Sequence, residues 1–330
     1  MLPSAIDKAL NLFSVLRAKV DEVVSSATMR RIRSLWTPFR RSSKLFRELR
    51  IGGIDSGYNY VEYRGYALYV LNACWVVVEY GRGEETGGDA DIDIVSTSSI
   101  EFELSTLSIA MELQLARNVV NRCDALLIDG SLVAKYFTLL RAKEYPSELL
   151  ASKNISVTET LKELAYISTL FAGKVFFLAK NSNARDVLNL VKGDIYYFER
   201  YTDGEPGYSK PIDLAHSSQG GTASIARSLE LFIKDVVGLP GKVFVSYVRF
   251  SPYSRVYRLE FVAENREEAE ERVRSFLEMV EPFTVAGYPY PLARADQLAR
   301  VGYHDVESIA NVLGIALDPW AREGLEVLTR

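Results

Sequence analysis

Residues 124–130 read Asp124-Ala125-Leu126-Leu127-Ile128-Asp129-Gly130. An apolar run this short, bounded by aspartates and closed by glycine, predicts a buried strand rather than a helix. Asp129 stands at its end, where Gly130 lets the chain turn sharply and leaves room for a ligand. Ligands of α/β sheets are held in the cleft beyond such strand ends. An Asp before a Gly is also a common turn or helix cap, so the stretch alone does not make a site.

Upstream of this strand, residues 105–121 predict a helix, capped by Ser105, with Leu107, Met111, Leu115 and Val119 on one stripe. Three strands precede it: a short one over 51–55 with Gly57 opening a turn, a long one over 66–80, and one over 91–104. The glycine-rich segment 81–88 between the last two predicts a loop. Downstream, residues 132–172 predict helix broken near Pro146, followed by strands over 174–179 and 194–201 and a turn-rich loop through Pro211. A helix over 224–236, a hairpin (242–250 and 255–262) and a charged helix over 265–280 come next. Tyr288-Pro289-Tyr290-Pro291 and further helices complete the chain. This order predicts an α/β domain on a mixed sheet.

At the start, Ile6, Leu10, Phe13, Leu16, Val20, Val23 and Val24 predict an amphipathic helix over 4–26 with one buried face. A basic helix over about 28–49 is expected to end at Gly52-Gly53. The chain thus divides into a helical, basic region, 1–50, and a main domain, 51–330.

With 48% hydrophobic and 25% charged residues among 330, the chain can bury a sizeable core and is not globally disordered. Its longest apolar run, 66–80, contains Asn72 and Glu79 and is too short to span a bilayer. Asp7 and Lys8 interrupt the first apolar stretch, against a signal peptide. A cytoplasmic protein without membrane contact is expected. Cys74 and Cys123 lie in apolar runs without zinc spacing and read as buried reduced thiols. With only His216 and His304, the chemistry does not rest on a histidine cluster. The net charge of −4 argues against indiscriminate nucleic-acid binding, yet residues 1–50 carry +7 and the remainder −11. The basic stretch from Arg30 to Arg50 can neutralise phosphates or meet an acidic partner; it also fits a solvated helix face.

Two further acids join Asp129. Asp55, in GGIDSGYN, has a similar strand-end setting, and Glu112 lies at the border of the stripe on the helix leading into the Asp129 strand. Taken singly, these read equally as a turn and a surface ion pair. Together, three converging carboxylates repel unless a cation holds them. Oxygen ligands suit Mg²⁺ or Mn²⁺, and carboxylate sites with two such ions commonly serve phosphodiester hydrolysis without histidine.

The series GGIDSGYN, MELQLA and LLIDGSL resembles the motifs of the NurA nucleases of archaea and some bacteria. FLAKNSNARDVL, GYSKPI, YVRFSPYSRVYRLEF and YPYPLARADQLAR extend the resemblance over most of residues 50–300. The resemblance implies an RNase H-like mixed β-sheet core flanked by helices, with an added N-terminal helical region. It implies a Mn²⁺-dependent (or Mg²⁺-dependent) nuclease with two ions, cutting single-stranded DNA and degrading DNA from 5′ ends. It further implies a homodimer that works with the hexameric ATPase HerA in resection of double-strand breaks. On the matching motifs, Asp55, Glu112 and Asp129 are metal-binding acids and Tyr288 belongs to the active site. The family's C-terminal histidine is matched here by Asp296. Asp296 either serves as a fourth metal ligand or marks a catalytically weakened paralogue acting as a DNA- or HerA-binding subunit. Lys180 is a candidate for the scissile phosphate, and Tyr58, with Tyr60 and Tyr63, for stacking on unpaired bases. Arg258 is a candidate DNA contact, or one half of a sheet pair with Glu260. Nothing separates DNA from RNA as substrate. The loop GRGEETGG lacks the Gly-Lys-Ser/Thr ending of a phosphate-binding loop, so no ATP site is expected.

Overall fold

The computed structural model describes residues 3–20, 24–40, 48–217 and 221–315. Alternating and fully apolar runs supply the strands of one large sheet: β1 (Trp36–Pro38), β2 (Arg50–Tyr63), β3 (Tyr66–Glu79), β4 (Gly83–Val95), β5 (Ala125–Asp129), β6 (Val175–Ala179), β7 (Gly207–Ser209), β8 (Ile212–Asp213), β9 (Lys242–Arg249) and β10 (Tyr257–Ala263). They lie in the order β1-β7-β9-β10-β6-β5-β2-β3-β4, with β8 on β9. A two-stranded ribbon joins β11 (Thr284–Val285) to β12 (Tyr288–Pro289).

The polarity of the central strands identifies the fold. β2, β3 and β4 form an antiparallel meander. β5 then lies parallel to β2, and β6 parallel to β5. The array β4-β3-β2-β5-β6 with these directions is an RNase H-like core, extended here by antiparallel β10 and β9.

The helices are α1 (Pro3–Asn11), α2 (Phe13–Val20), α3 (Ser26–Ser34), α4 (Ile100–Val119), α5 (Leu132–Glu144), α6 (Glu148–Ser152), α7 (Val157–Leu170), α8 (Asp194–Tyr201), α9 (Gly221–Val237), α10 (Arg266–Val280), α11 (Tyr290–Ala299) and α12 (Tyr303–Val312). The larger core lies under α4, α5, α7 and α9, with Leu104, Leu139, Leu164 and Leu229 fully or almost fully buried. A second core joins α10 and α11 to the opposite face through Phe176, Phe261, Phe276 and Leu292. Sheet residues covered on both faces explain why β5 and β6 read as uninterrupted apolar runs.

Several sequence expectations are corrected. β2 passes straight through Gly57, paired with Asn72, so no turn opens there. The expected loop over 81–88 is mostly strand, because Gly87 pairs with Trp75 and a Cβ at Gly87 would stand 2.6 Å from the indole ring. The helix expected from 105 begins at Ile100, and the strand before it ends at Val95. Residues 194–201 form α8 rather than a strand: Asp194 accepts the N–H groups of Val187 and Leu188, and Tyr197 and Phe198 are buried in the core. The local β preference of Tyr and Phe yields to that tertiary packing.

The N-terminal expectation also changes. Among the described residues three short helices replace the two expected, and α1 buries none of its residues; Ile6, Leu10, Phe13 and Leu16 are exposed. After α3 the chain enters β1, which pairs with β7, so the basic stretch is not one continuous helix and Gly52-Gly53 lie inside β2. Arg41, Lys44 and Arg47 of that stretch, Val23, and the tail beyond residue 315 lie outside the described residues. Among the described residues, no helix is long and apolar enough to cross a membrane. Cys123 is buried and Cys74 half-buried, and both are free thiols. Burial pushes the Cys123 thiol up to about 12.

Candidate active site

Parallel pairing places Asp55, in the middle of β2 where its ladder with β5 stops, beside the ends of β5 and β6. Ile54 is in register with Ile128, and Asp129 with Leu178. Asp55, Asp129 and Lys180, the residue after β6, therefore reach the same edge of the sheet. α4 brings Glu112 to this edge, α11 brings Asp296, and β12 brings Tyr288.

The glycines around Asp55 let α11 reach it. Gly53 and Gly57 share the Asp55 face of β2 by strand alternation. A Cβ at Gly53 would stand 2.5 Å from the Pro291 carbonyl carbon, and one at Gly57 2.7 Å from the Ala299 oxygen. The backbone of α11 thus rests directly on that of β2, and Asp296 comes to the acid group.

Lys180 is the hub. Its ammonium donates to Asp296 at 2.9 Å and pairs with Asp129 at 3.5 Å and Asp55 at 3.9 Å. Its Nζ lies 5.3 Å from the Tyr288 ring centroid. The Tyr288 hydroxyl is 3.4 Å from Asp129 Oδ1, and its ring packs on Tyr257 at 5.1 Å. Glu112 accepts from the Ser56 hydroxyl at 2.5 Å and forms a buried ion pair with Lys135 of α5. Arg300 holds the outer oxygen of Asp296 at 3.1 Å.

Burial and mutual repulsion dominate the electrostatics. Asp55 and Glu112 are 7% and 3% exposed. Burial, then Asp129 and Glu112, push the Asp55 carboxyl up to about 8, against Lys180 and the Ser56 N–H. Burial also raises Asp129, with Lys180 and Lys135 opposing. Burial draws the Lys180 ammonium down, but Asp129, Asp296 and Asp55 together hold it above the ordinary lysine range. Burial likewise opposes Lys180 and Arg300 at Asp296, and the two cations prevail, keeping it below the usual carboxylate range. Burial and the neighbouring carboxylates raise the Tyr288 phenol, which stays protonated.

Among the described residues no three His, Cys, Asp or Glu side chains are gathered closely enough to hold a metal by themselves; Lys180 and Lys135 lie among the acids. The donor set nonetheless fits a hard divalent cation. It offers oxygen ligands only, and Asp129 and Glu112 add to burial in disfavouring the charged form of Asp55, a repulsion that a divalent cation would relieve.

Asp55, Glu112, Asp129, Asp296, Lys180 and Tyr288 thus come together. Tyr58 does not join them: it lies on the opposite face of β2, packs on the core and donates to the Glu101 carbonyl at 3.3 Å. Arg258 does not join them either, and its guanidinium is engaged inside the protein. It is 3% exposed and holds Asp186 at 2.5 Å, Glu260 at 2.6 Å and the Tyr247 hydroxyl at 2.9 Å. Its partner Glu260 accepts from the Ser131 hydroxyl at 2.9 Å and the Val133 N–H at 3.1 Å, fixing the turn after Asp129. Lys135 and Arg300 escaped the sequence reading. Lys135 sits one helical turn beyond Ser131, the cap of the helix that follows the Asp129 strand, and that offset was its available signal. His216 and His304 pair with Asp213 and Glu307 and do not enter the group.

Residues 49–301 match the family described as the NurA domain. The DNA double-strand break repair nuclease NurA of Sulfolobus acidocaldarius is 25% identical over 277 residues, covering 79% of either chain. The crystal structure of the NurA nuclease from Sulfolobus solfataricus has a TM-score of 0.73 at 21% identity, covering 96% of this chain and 98% of that one. A crystal structure of NurA bound to dAMP and manganese has a TM-score of 0.54 at 15% identity, covering 94% of this chain and 98% of that one. The acid motifs and the strands from β2 to β12 fall inside the matched span, and the chain belongs to the NurA family.

Proposed function

We propose that this chain is a metal-dependent DNA nuclease that hydrolyses phosphodiesters, cutting single strands internally and degrading DNA from 5′ ends. The observation that carries the reading is the meeting of Asp55, Asp129 and Asp296 around Lys180, with Glu112, held by Lys135, close enough to act on Asp55 and Asp129. Those four carboxylates would hold Mn²⁺ or Mg²⁺, as two ions; the solved NurA with manganese and dAMP supports the choice of metal. Bound there, the cations supply water activation and charge stabilisation at the leaving oxygen. Lys180 and Lys135 neutralise the carboxylates in their absence and are positioned to meet the charge of a scissile phosphate. Tyr288, a protonated phenol, orients Asp129 through its hydroxyl. Asp296 replaces the family's histidine with a hard ligand and takes away an imidazole proton donor.

The family resemblance supports a cytoplasmic homodimer that works with the HerA ATPase in end resection of double-strand breaks. The exposed apolar side chains of α1 and α2 offer one surface for such partners. Asp55→Ala and Asp129→Ala should each abolish Mn²⁺-dependent cleavage of a single-stranded oligonucleotide while the protein stays folded. Cleavage surviving in both variants refutes the reading, and matched RNA oligonucleotides test the sugar preference. The substitution of Asp296 for histidine favours a second reading, a non-cleaving DNA- or HerA-binding subunit. Binding without cleavage across a panel of divalent metals would establish it.

A further inference from the structure

Beside the acid group, a cavity of about 490 Å³ opens between the ends of β5 and β6 and the first turns of α5 and α9. Its wall begins where the acids stop: Gly130 follows Asp129, and Ala179 precedes Lys180. Its volume lies within the range of small-molecule sites.

The lining has a distinct chemistry. Phe137 is 43% exposed and makes no ring contact among the described residues. Val133 and Ile225 extend the apolar wall. Asn181 and Asn183 supply amides that both donate and accept, matching the mixed edges of nucleobases. Among the described residues the one charged lining side chain is Arg258, whose guanidinium is spent on Asp186, Glu260 and Tyr247. The cavity is therefore nearly neutral, whereas the charged side chains next door are the acids with Lys180 and Lys135 paired to them. Within the acid group a phosphate meets cations at Lys180 and Lys135, whereas the cavity, its own cation already engaged, suits an uncharged planar ring.

We infer that this cavity holds one unpaired nucleobase of the DNA strand, next to the nucleotide whose phosphate lies at the acids. The assignment of the phosphate rests on the nuclease reading above; the base pocket itself does not require cleavage. A base within a duplex must leave its stack and its partner to enter, which costs a few kcal/mol. The pocket thus favours single strands and frayed ends over intact duplex. Phe137 stacks on the base, and the asparagines meet its edge.

The test uses the full chain in EDTA, so that binding is read without turnover. Oligonucleotides carrying 2-aminopurine at successive positions are titrated by fluorescence. One position should respond, and Phe137→Ala should abolish that response and weaken binding of the ordinary strand roughly tenfold. Ala134→Trp, at an exposed wall position, should fill the cavity and produce the same loss. An oligonucleotide abasic at the responding position should bind wild type and both variants equally. Thermal melting establishes that the variants are folded. Equal responses from all three proteins, or an abasic penalty that is the same in each, would overturn the pocket. Failure to find cleavage in any metal, with the fluorescence pattern intact, would sink the nuclease reading and leave the pocket standing.

Discussion

Asp55 concentrates the cost of the site in one side chain. Its carboxyl is pushed from the ordinary 3.8 to about 8, first by burial and then by Asp129 and Glu112. Between those values the folded chain keeps a proton that the unfolded chain has released. The metal-free fold therefore loses stability as pH rises through that window, and the loss levels off above it. Asp55→Asn removes the group, so the metal-free variant should melt above wild type at about pH 8 and not below it. A divalent cation has to displace the same proton. The rise in melting temperature caused by a fixed Mn²⁺ concentration should grow from about pH 6 to pH 8 in wild type, and Asp55→Asn should show little of that growth. A variant that melts below wild type in EDTA at pH 8 would contradict the repulsion argument. Of the acids, Asp55, Glu112 and Asp129 were legible because each interrupts an apolar pattern, although Asp55 lies inside β2 rather than at the strand end its glycines suggested. Lys135 was not, since a lysine near the start of an amphipathic helix looks like ordinary surface until the fold turns it toward Glu112.

Elements meet here through absences of side chain as much as through side chains. α11 lies on β2 because Gly53 and Gly57 leave its backbone room, and the atoms a Cβ would strike are backbone atoms that cannot swing aside. Gly53→Ala should destabilise the protein by about 1–3 kcal/mol, the usual cost of overpacking a filled interior. It should also lower cleavage more than stability requires, because Asp296 and Tyr288 depend on this docking. Melting curves together with Mn²⁺-dependent rates check both, and an alanine variant with unchanged melting and rate would show that the contact is soft. Glycine inside a strand signals close backbone approach as well as a turn, and one sequence does not choose between them. A similar ambiguity turned 194–201 into a strand on paper: its aromatic residues favour a strand locally, and the helix is selected by the buried contacts of Asp194. Arg258 misled differently. Nothing adjacent to it in sequence reveals that Asp186 closes over it, since that partner lies on another segment 72 residues away. Arg258→Ala leaves Glu260 and Asp186 buried without their cation, and should cost about 3–5 kcal/mol. Chemical denaturation measures that loss, and a value near zero would mean the two carboxylates find other partners.

For the molecule as a whole, the N-terminal charge and the folded core pull apart at a definable place. That the main sheet is mixed was legible from its apolar runs and the helices between them, whereas the order of its strands was not read from the sequence. The first fifty residues were not, because an amphipathic pattern reports a face that wants cover without saying whether this chain provides it. In the structure, residues 3–19 are exposed throughout, with Ile6, Leu10 and Phe13 among them, whereas Val24, Ile32 and Trp36 are buried in the main core. β1 also pairs with β7, so the segment after α2 is tied into the sheet. Removing residues 1–20 should therefore leave the stability of a single chain unchanged within about 0.5 kcal/mol, as for exposed positions generally. Removing residues 1–50 deletes Ile32, Trp36 and the β1 ladder, and should cost several kcal/mol, since burying each large apolar side chain contributes about 1.5–3 kcal/mol. Denaturant titrations of the two truncations, at concentrations low enough to exclude association, distinguish these outcomes. Equal losses in both would mean that α1 and α2 contribute to folding. A loss confined to the longer deletion assigns them instead to contacts outside the single chain.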